Sequence, residues 1–374
     1  MGHSSRLVRS NFLVSIAPVR KHRLWIWFLW LAGFYSVWAW LVFGKGQWPI
    51  AKAHWPMALA MALGSYVAGS TPLGGGTVGF PVLVLFFKMP ATLGRDFSFA
   101  VQSIGMVSAS IFILTRRQPL AWSMLKGTLL GTVIGTPLGI FFVAPLIPGL
   151  WIKLVFAVLW ASFGVLHLYR IDEISSHDGM TEFDERWDLR VGLLIGLFSG
   201  ATVVAVTGVG IDMVIYAALV LLCRADLKIA IPTSVVVMGF NSVLGIVIKN
   251  LSTGLTPGVY GNWLAAAPVV ALGAPLGVFV VDVVGRKPTL IFVALLCVGQ
   301  FVWTCSEERV ALGISGLVAA VAAVGLCLLG FEKLRAWGAV LVGEAKAKRL
   351  TRTTAAAERK RIVERASLSV NVGR

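Results

Sequence analysis

Ten stretches of this chain carry almost no charge: 24–43, 57–87, 97–114, 124–143, 151–169, 191–222, 229–248, 262–281, 288–304 and 310–330. Most are close to the ~20 residues that cross a ~30 Å hydrocarbon layer as a helix. The chain is 57% hydrophobic and 13% charged, with a mean hydropathy of +0.84. Soluble domains hold about a quarter charged residues. The reading is an all-α polytopic membrane protein.

A net charge of +16 raises the question of a nucleic-acid partner. Its distribution excludes one. Eleven of the 33 Lys and Arg lie beyond residue 332 and five lie before residue 24. Basic ends around an apolar body read as cytoplasmic tails. No folded basic face interleaved with aromatics is present for a nucleic acid to use. Cys223, Cys297, Cys305 and Cys327 are scattered without a C-x-x-C pair and read as apolar thiols. The segment "LWIWFLWLAGFYSVWAWLVF" (24–43) follows "RKHR". It is too long and too rich in Trp for a signal peptide, has no small-x-small cleavage site, and reads as a retained span.

Two segments exceed a membrane's thickness. Residues 57–87 and 191–222 would each reach about 45 Å as single helices. Both are broken by glycine, at "TPLGGGTVGFP" and "TGVGI". The breaks also belong to a duplication. "LGGGT" (73–77) answers "TGVGI" (207–211), and "ATLGRDFSFAVQSIGM" (91–106) answers "ADLKIAIPTSVVVMGF" (225–240) at the same spacing. "GTPLGIF" (135–141) returns as "GAPLGVF" (273–279). The organisation is therefore a basic tail and first span (1–56), repeat 1 (57–169), an acidic linker read as a solvated loop with a short surface helix (170–190), repeat 2 (191–304), a last span (305–330) and a basic tail (331–374). The tail's "FEKLRAWGAVLVG" is expected on the membrane surface as an amphipathic helix.

If the long segments cross, there are ten spans; if they re-enter, there are eight spans and two hairpins. Leaving out Lys126 and Lys153, the hairpin arrangement puts 25 Lys and Arg inside and 6 outside, against 22 and 9 for ten spans. The hairpin arrangement is favoured. It leaves three full spans per repeat, so the two copies have opposite orientation, the plan of many secondary transporters. Both termini are expected in the cytoplasm, and the protein in the cytoplasmic membrane.

Broken backbone is tolerated at membrane depth only where protein or a water-filled cavity surrounds it. Gly74, Gly75 and Gly76 permit a reversal, and Thr77 is the expected cap of the returning leg. That leg would aim free N–H groups at an anion. Gly208 and Gly210, beside Thr207, offer the same in the second copy. Both N-termini would point at one cavity. Asp212 is the only carboxylate deep in an apolar segment. It is a candidate proton carrier or a cap for its own helix turn. Ser98 and Gln102 in one copy, and Thr233, Ser234 and Asn241 in the other, are candidate pocket residues or helix–helix contacts. Gly127, Gly131, Gly135 and Gly139 form a small-residue seam read as close packing. His167 is alone, so no metal site is expected, and no cofactor.

The run "GGGTVGFPVLVL", with "TGVGIDMVIYAALVLL" and "TSVVVMGFNS", resembles the two signatures of the sulfite exporter (TauE/SafE) family over about residues 55–305. After the first signature many members carry a Thr-Asn-Lys-like triplet; here that region reads "GRDFSF". The resemblance implies a membrane carrier of sulfite or an organosulfur anion. It assigns Gly74, Gly75, Gly76 and Thr77 to the first signature and Gly208, Gly210, Thr233, Ser234 and Asn241 to the second. The expected function is secondary transport by alternating access, with a passive anion channel as the alternative and an intramembrane enzyme behind both. Expected partners are the anion, membrane lipid and a coupling proton, with a second copy of the chain as a candidate.

Overall fold

The computed structural model describes residues 23–181 and 183–372, so most of the basic N-terminal tail lies outside the described residues. In chain order the helices are α1 (Leu24–Ala39), α2 (Trp48–Ala53), α3 (Trp55–Ser70), α4 (Gly76–Pro81), α5 (Ala91–Thr115), α6 (Trp122–Leu138) and α7 (Gly149–Ser175), then α8 (Glu185–Ser199), α9 (Ala205–Thr207), α10 (Ile211–Ala217), α11 (Leu227–Leu251), α12 (Val259–Val284), α13 (Arg286–Glu307) and α14 (Arg309–Val372). Wider π turns extend α1, α4, α6, α8 and α10. Nine of the described helical segments are long and apolar enough to cross a membrane. The two returning legs, Gly76–Phe86 and Ile211–Leu222, are not. At ~1.5 Å per residue they reach about 16–18 Å.

Helix directions decide between crossing and re-entry. Equivalent helices α5 and α11 pair antiparallel: Lys249 meets Asp96 at one end, and Ser110 Oγ donates to the carbonyl of Val235 (3.4 Å) towards the other. Equivalent helices α7 and α13 do the same, with Lys153 on Glu308 and Lys287 on Asp172. Two copies whose matching helices run antiparallel are related by an axis across the helices, and that is an inverted repeat. Had the broken segments crossed, these pairs would be parallel. The first leg visibly turns back, since a Cβ on Gly75 would meet Gly64 and Ala68 while one on Gly79 would meet Met61. The second returns to where α8 begins: Thr181 N–H donates to Cys223 O (3.1 Å) and Asp226 N–H to Gly179 O (2.6 Å).

The start of α1 lies at the end of α5, where Arg23 N–H donates to Thr115 O (3.2 Å). Arg335 of α14 reaches Glu173 at the end of α7 (3.2 Å). Helices α5 and α7 begin side by side and run the same way, so α1 starts and α14 meets the end of α7 on one face of the bundle, the tail side.

The repeats exchange partners. Helix α3 packs on α12, and its counterpart α8 packs on α6. The glycine seam is the reason for the second contact. A Cβ on Gly127, Gly131 or Gly135 would stand 2.1–2.2 Å from a carbonyl oxygen of α8. Only hydrogen fits there, so the seam is close packing. Gly131→Leu is expected to prevent assembly, because the backbone opposite cannot yield as a side chain does. Gly325→Leu, where nothing lies within 4 Å, is the control. Monodisperse yield in detergent checks the difference.

Two expectations are corrected. The acidic linker is mostly helix: α7 runs on to Ser175 and α8 starts at Glu185. The segment from Phe331 does not lie apart as a surface helix. It continues α14, because Glu332 and Arg335 pair with Arg170 and Glu173 of α7.

Candidate functional site

The two glycine breaks meet. Gly74 takes a left-handed conformation (φ 62°), as do Gly208 (φ 80°) and Gly210 (φ 102°). These are the reversals that let each leg turn back, and side chains are disfavoured there. A Cβ on Gly76 would stand 2.5 Å from Val209 Cγ1 of the other break. One on Gly74 would stand 2.2 Å from Gln102 Oε1 and 3.0 Å from Asp212 Oδ2. Gly74, Gly76, Ser98, Gln102 and Asp212 are thus brought together across the repeat boundary.

The breaks differ in what their amides face. In the first, Thr77 N–H donates to Gly74 O and Val78 N–H to Gly75 O. Residues 72–75 form the turn that leads into α4, and Gly74, Gly75 and Gly76 are all buried. In the second, Asp212 occupies the turn itself. Its Oδ1 accepts from Met213 N–H (3.0 Å). Its Oδ2 has no partner, nor does Gln102 Oε1 opposite. Two buried acceptors face each other with no donor between them, which is costly unless one carries a proton.

Thr77 does not cap the leg. Its hydroxyl donates back to Leu73 O and accepts from Trp160 Nε1 (2.7 Å). A hydroxyl in apolar surroundings has the carbonyl four residues earlier within reach, and that bond wins. Trp160 is the residue that sequence reasoning missed. Its indole joins both breaks: N–H on Thr77, and ring edge 3.2 Å from a Cβ built on Gly210. It stacks on Phe156 (4.0 Å), which stacks on Phe80 of α4 (4.4 Å). A Trp in an apolar span carries no sequence signal of this. The expected effect of Trp160→Phe, which keeps the stack and removes the N–H, is a severalfold loss of transport with little loss of stability, read from uptake and melting temperature.

The remaining candidates bond elsewhere. Thr233 Oγ1 accepts from Ala121 N–H (3.0 Å), Ser234 donates to Ile231 O, and Asn241 Oδ1 accepts from Thr136 (2.6 Å). None of these bonds reaches a break, although Asn241 Nδ2 and Ser242 Oγ are buried and unpartnered. His167 is buried and satisfied by Phe163 O and the Tyr216 hydroxyl.

The cavity at the first break, lined by Met61, Ser65, Gly75, Gln102, Gly105 and Ala274 among others, holds about 10 Å³. That is room for one water. The breaks therefore do not line an open wet cavity in this conformation; they close on each other. A larger groove of about 510 Å³ between α7, α14 and the π turn of α8 is apolar apart from Thr202 and has nothing to hold an anion.

A family model described as Sulfite exporter TauE/SafE matches residues 57–303, the extent of the two repeats. No curated protein and no solved structure matches the chain.

Proposed function

The chain belongs to the sulfite exporter TauE/SafE family, and from that premise we propose that it is a secondary transporter of a small anion, sulfite or an organosulfur anion, working by alternating access. The observation that carries the proposal is the meeting of two broken legs, one from each inverted repeat, with the buried glycine turn of the first set against Val209 and Asp212 of the second. Backbone N–H groups at a helix start bind anions without a buried cation. A scaffold has no use for two helices broken in the membrane interior, where irregular backbone is costly unless it serves a site.

Asp212 is the coupling residue of this proposal. An ionised carboxylate beside the amides repels an anion, and a protonated one donates to it. Anion and proton then bind together. The tail side is the cytoplasmic side by the excess of Lys and Arg there, in the cytoplasmic membrane.

Counterflow tests the reading. Proteoliposomes loaded with unlabelled sulfite are expected to take up labelled sulfite transiently above equilibrium, with saturation. Unitary currents without counterflow would replace the carrier by the channel. Silence towards sulfite, thiosulfate, sulfoacetate, sulfate and chloride alike would end the anion reading.

A further inference from the structure

A second donor set lies beneath the breaks, on the face away from the tails. Asp96 is fully buried on α5. Its Oδ1 accepts from Arg95 Nε (3.0 Å). Its Oδ2 lies 3.3 Å from Lys249 Nζ of α11 and accepts the Thr256 amide (3.1 Å) and hydroxyl (2.8 Å). Arg95 and Lys249 are each 7% exposed. Two covered cations thus share one carboxylate.

Guanidinium, ammonium, amide and hydroxyl converging on two oxygens is a set that an oxyanion would take. Here the occupant is tethered to the protein. The cluster adjoins the transport path, for a Cβ on Gly208 would stand 2.3 Å from Arg95 O. It also joins α5, α11 and the loop after α11. These elements must part if the far side is to open. The other mouth is built differently. There Ala121 N–H, in the loop after α5, donates to Thr233 Oγ1 of α11, a neutral bond. The repeat shift of 134 puts Ile229, Ala230 and Thr115 where the far side has Arg95, Asp96 and Lys249.

We propose that Arg95, Lys249 and Thr256 form a second oxyanion site at the far mouth, held by the Asp96 carboxylate in the closed state and taken over by the substrate anion when that mouth opens. The inference rests on the anion-transport reading and adds a station and a latch to it. The latch explains the excess cation. An apolar replacement of similar volume often serves a purely structural cluster as well. An exit station needs a positive charge left over when an anion replaces the carboxylate. It also predicts that the far mouth is the harder one to open.

Binding measurements on Asp96→Asn test this without relying on transport. The variant empties the cradle of its internal anion. Its melting temperature is expected to rise by several degrees with millimolar sulfite or sulfate, beyond chloride at matched ionic strength. Wild type is expected to rise much less, and Asp96→Asn with Lys249→Met is expected to lose the extra gain. Equal responses from all three proteins would reduce the cluster to a buried ion pair and overturn the inference. Counterflow by wild type reports separately on the anion reading. Should Asp96→Asn not assemble, Lys249→Met alone carries the test, because it leaves Arg95 and Asp96 as a neutral pair. Half-saturating sulfite at the far side is then expected to rise at least fivefold, with the tail side unchanged. A change equal on both sides, or none, overturns the proposal.

Discussion

Gly74→Val is expected to abolish sulfite uptake while the chain still inserts and purifies. The site admits no side chain. Its backbone is left-handed (φ 62°), and a Cβ there would stand 2.2 Å from Gln102 Oε1. The conformation costs a β-branched residue about 1–2 kcal/mol, and overpacking adds about 1–3 kcal/mol. The contacts of α3 with α12 lie outside the break, so the bundle holds while the loop is displaced. What moves is the turn at Gly74, Gly75 and Gly76, which is displaced from Gln102 and Asp212. Gly33→Val in α1 is the control, with nothing within 4 Å of its Cβ. Adding Gln102→Ala to Gly74→Ala removes the atom that the new methyl meets, and is expected to recover stability but not transport. Uptake by Gly74→Val at the wild-type rate would show that the first break is no part of the path.

The breaks and the duplication are legible in the sequence because both are local or periodic. Three glycines in a row interrupt an apolar run whatever surrounds them, and a spacing of 134 repeats whether or not the copies touch. The inversion was legible through charge counting, and the antiparallel pairing of α5 with α11 has the same cause: a hairpin uses an even number of passages, so three spans remain. Side-chain partners were not legible. Trp160 meets Thr77 at a separation of 83 residues, and Asp96 meets Thr256 at 160. Nothing in "VLWASF" marks Trp160 as more than span filling, and the charges in "GRDFSF" stand out without naming Thr256 or Lys249 as their partners. Thr233 and Asn241 follow a break in sequence, while the partners they bond, Ala121 N–H and Thr136, come from 112 and 105 positions away. The tail was misread for a related reason. Its apolar and charged pattern fits a membrane surface, but Glu332 and Arg335 have partners on α7 that only the fold supplies.

Asp212→Asn is expected to separate anion movement from its driving force. The substitution keeps the shape and removes the charge. The new carbonyl oxygen can still accept from Met213 N–H, and the new amide nitrogen can donate to Gln102 Oε1, which lacks a donor in the native chain. The variant therefore copies the protonated residue and stays in that state. Sulfite exchange at equal concentrations is expected to persist. Accumulation against a pH gradient is expected to vanish. With one proton per anion, each pH unit supplies about 1.4 kcal/mol, which is roughly a tenfold concentration ratio. At a clamped membrane potential of zero the native protein should approach that ratio, and Asp212→Asn should remain near one. Replacing the pH gradient by a sodium gradient distinguishes the coupling ion, because sodium-driven accumulation by the native chain would give the facing oxygens of Asp212 and Gln102 a metal ion to hold instead of a proton. Unchanged pH-driven accumulation by the variant would leave Asp212 as a cap for the α10 turn, and the coupling would then have to lie with another group.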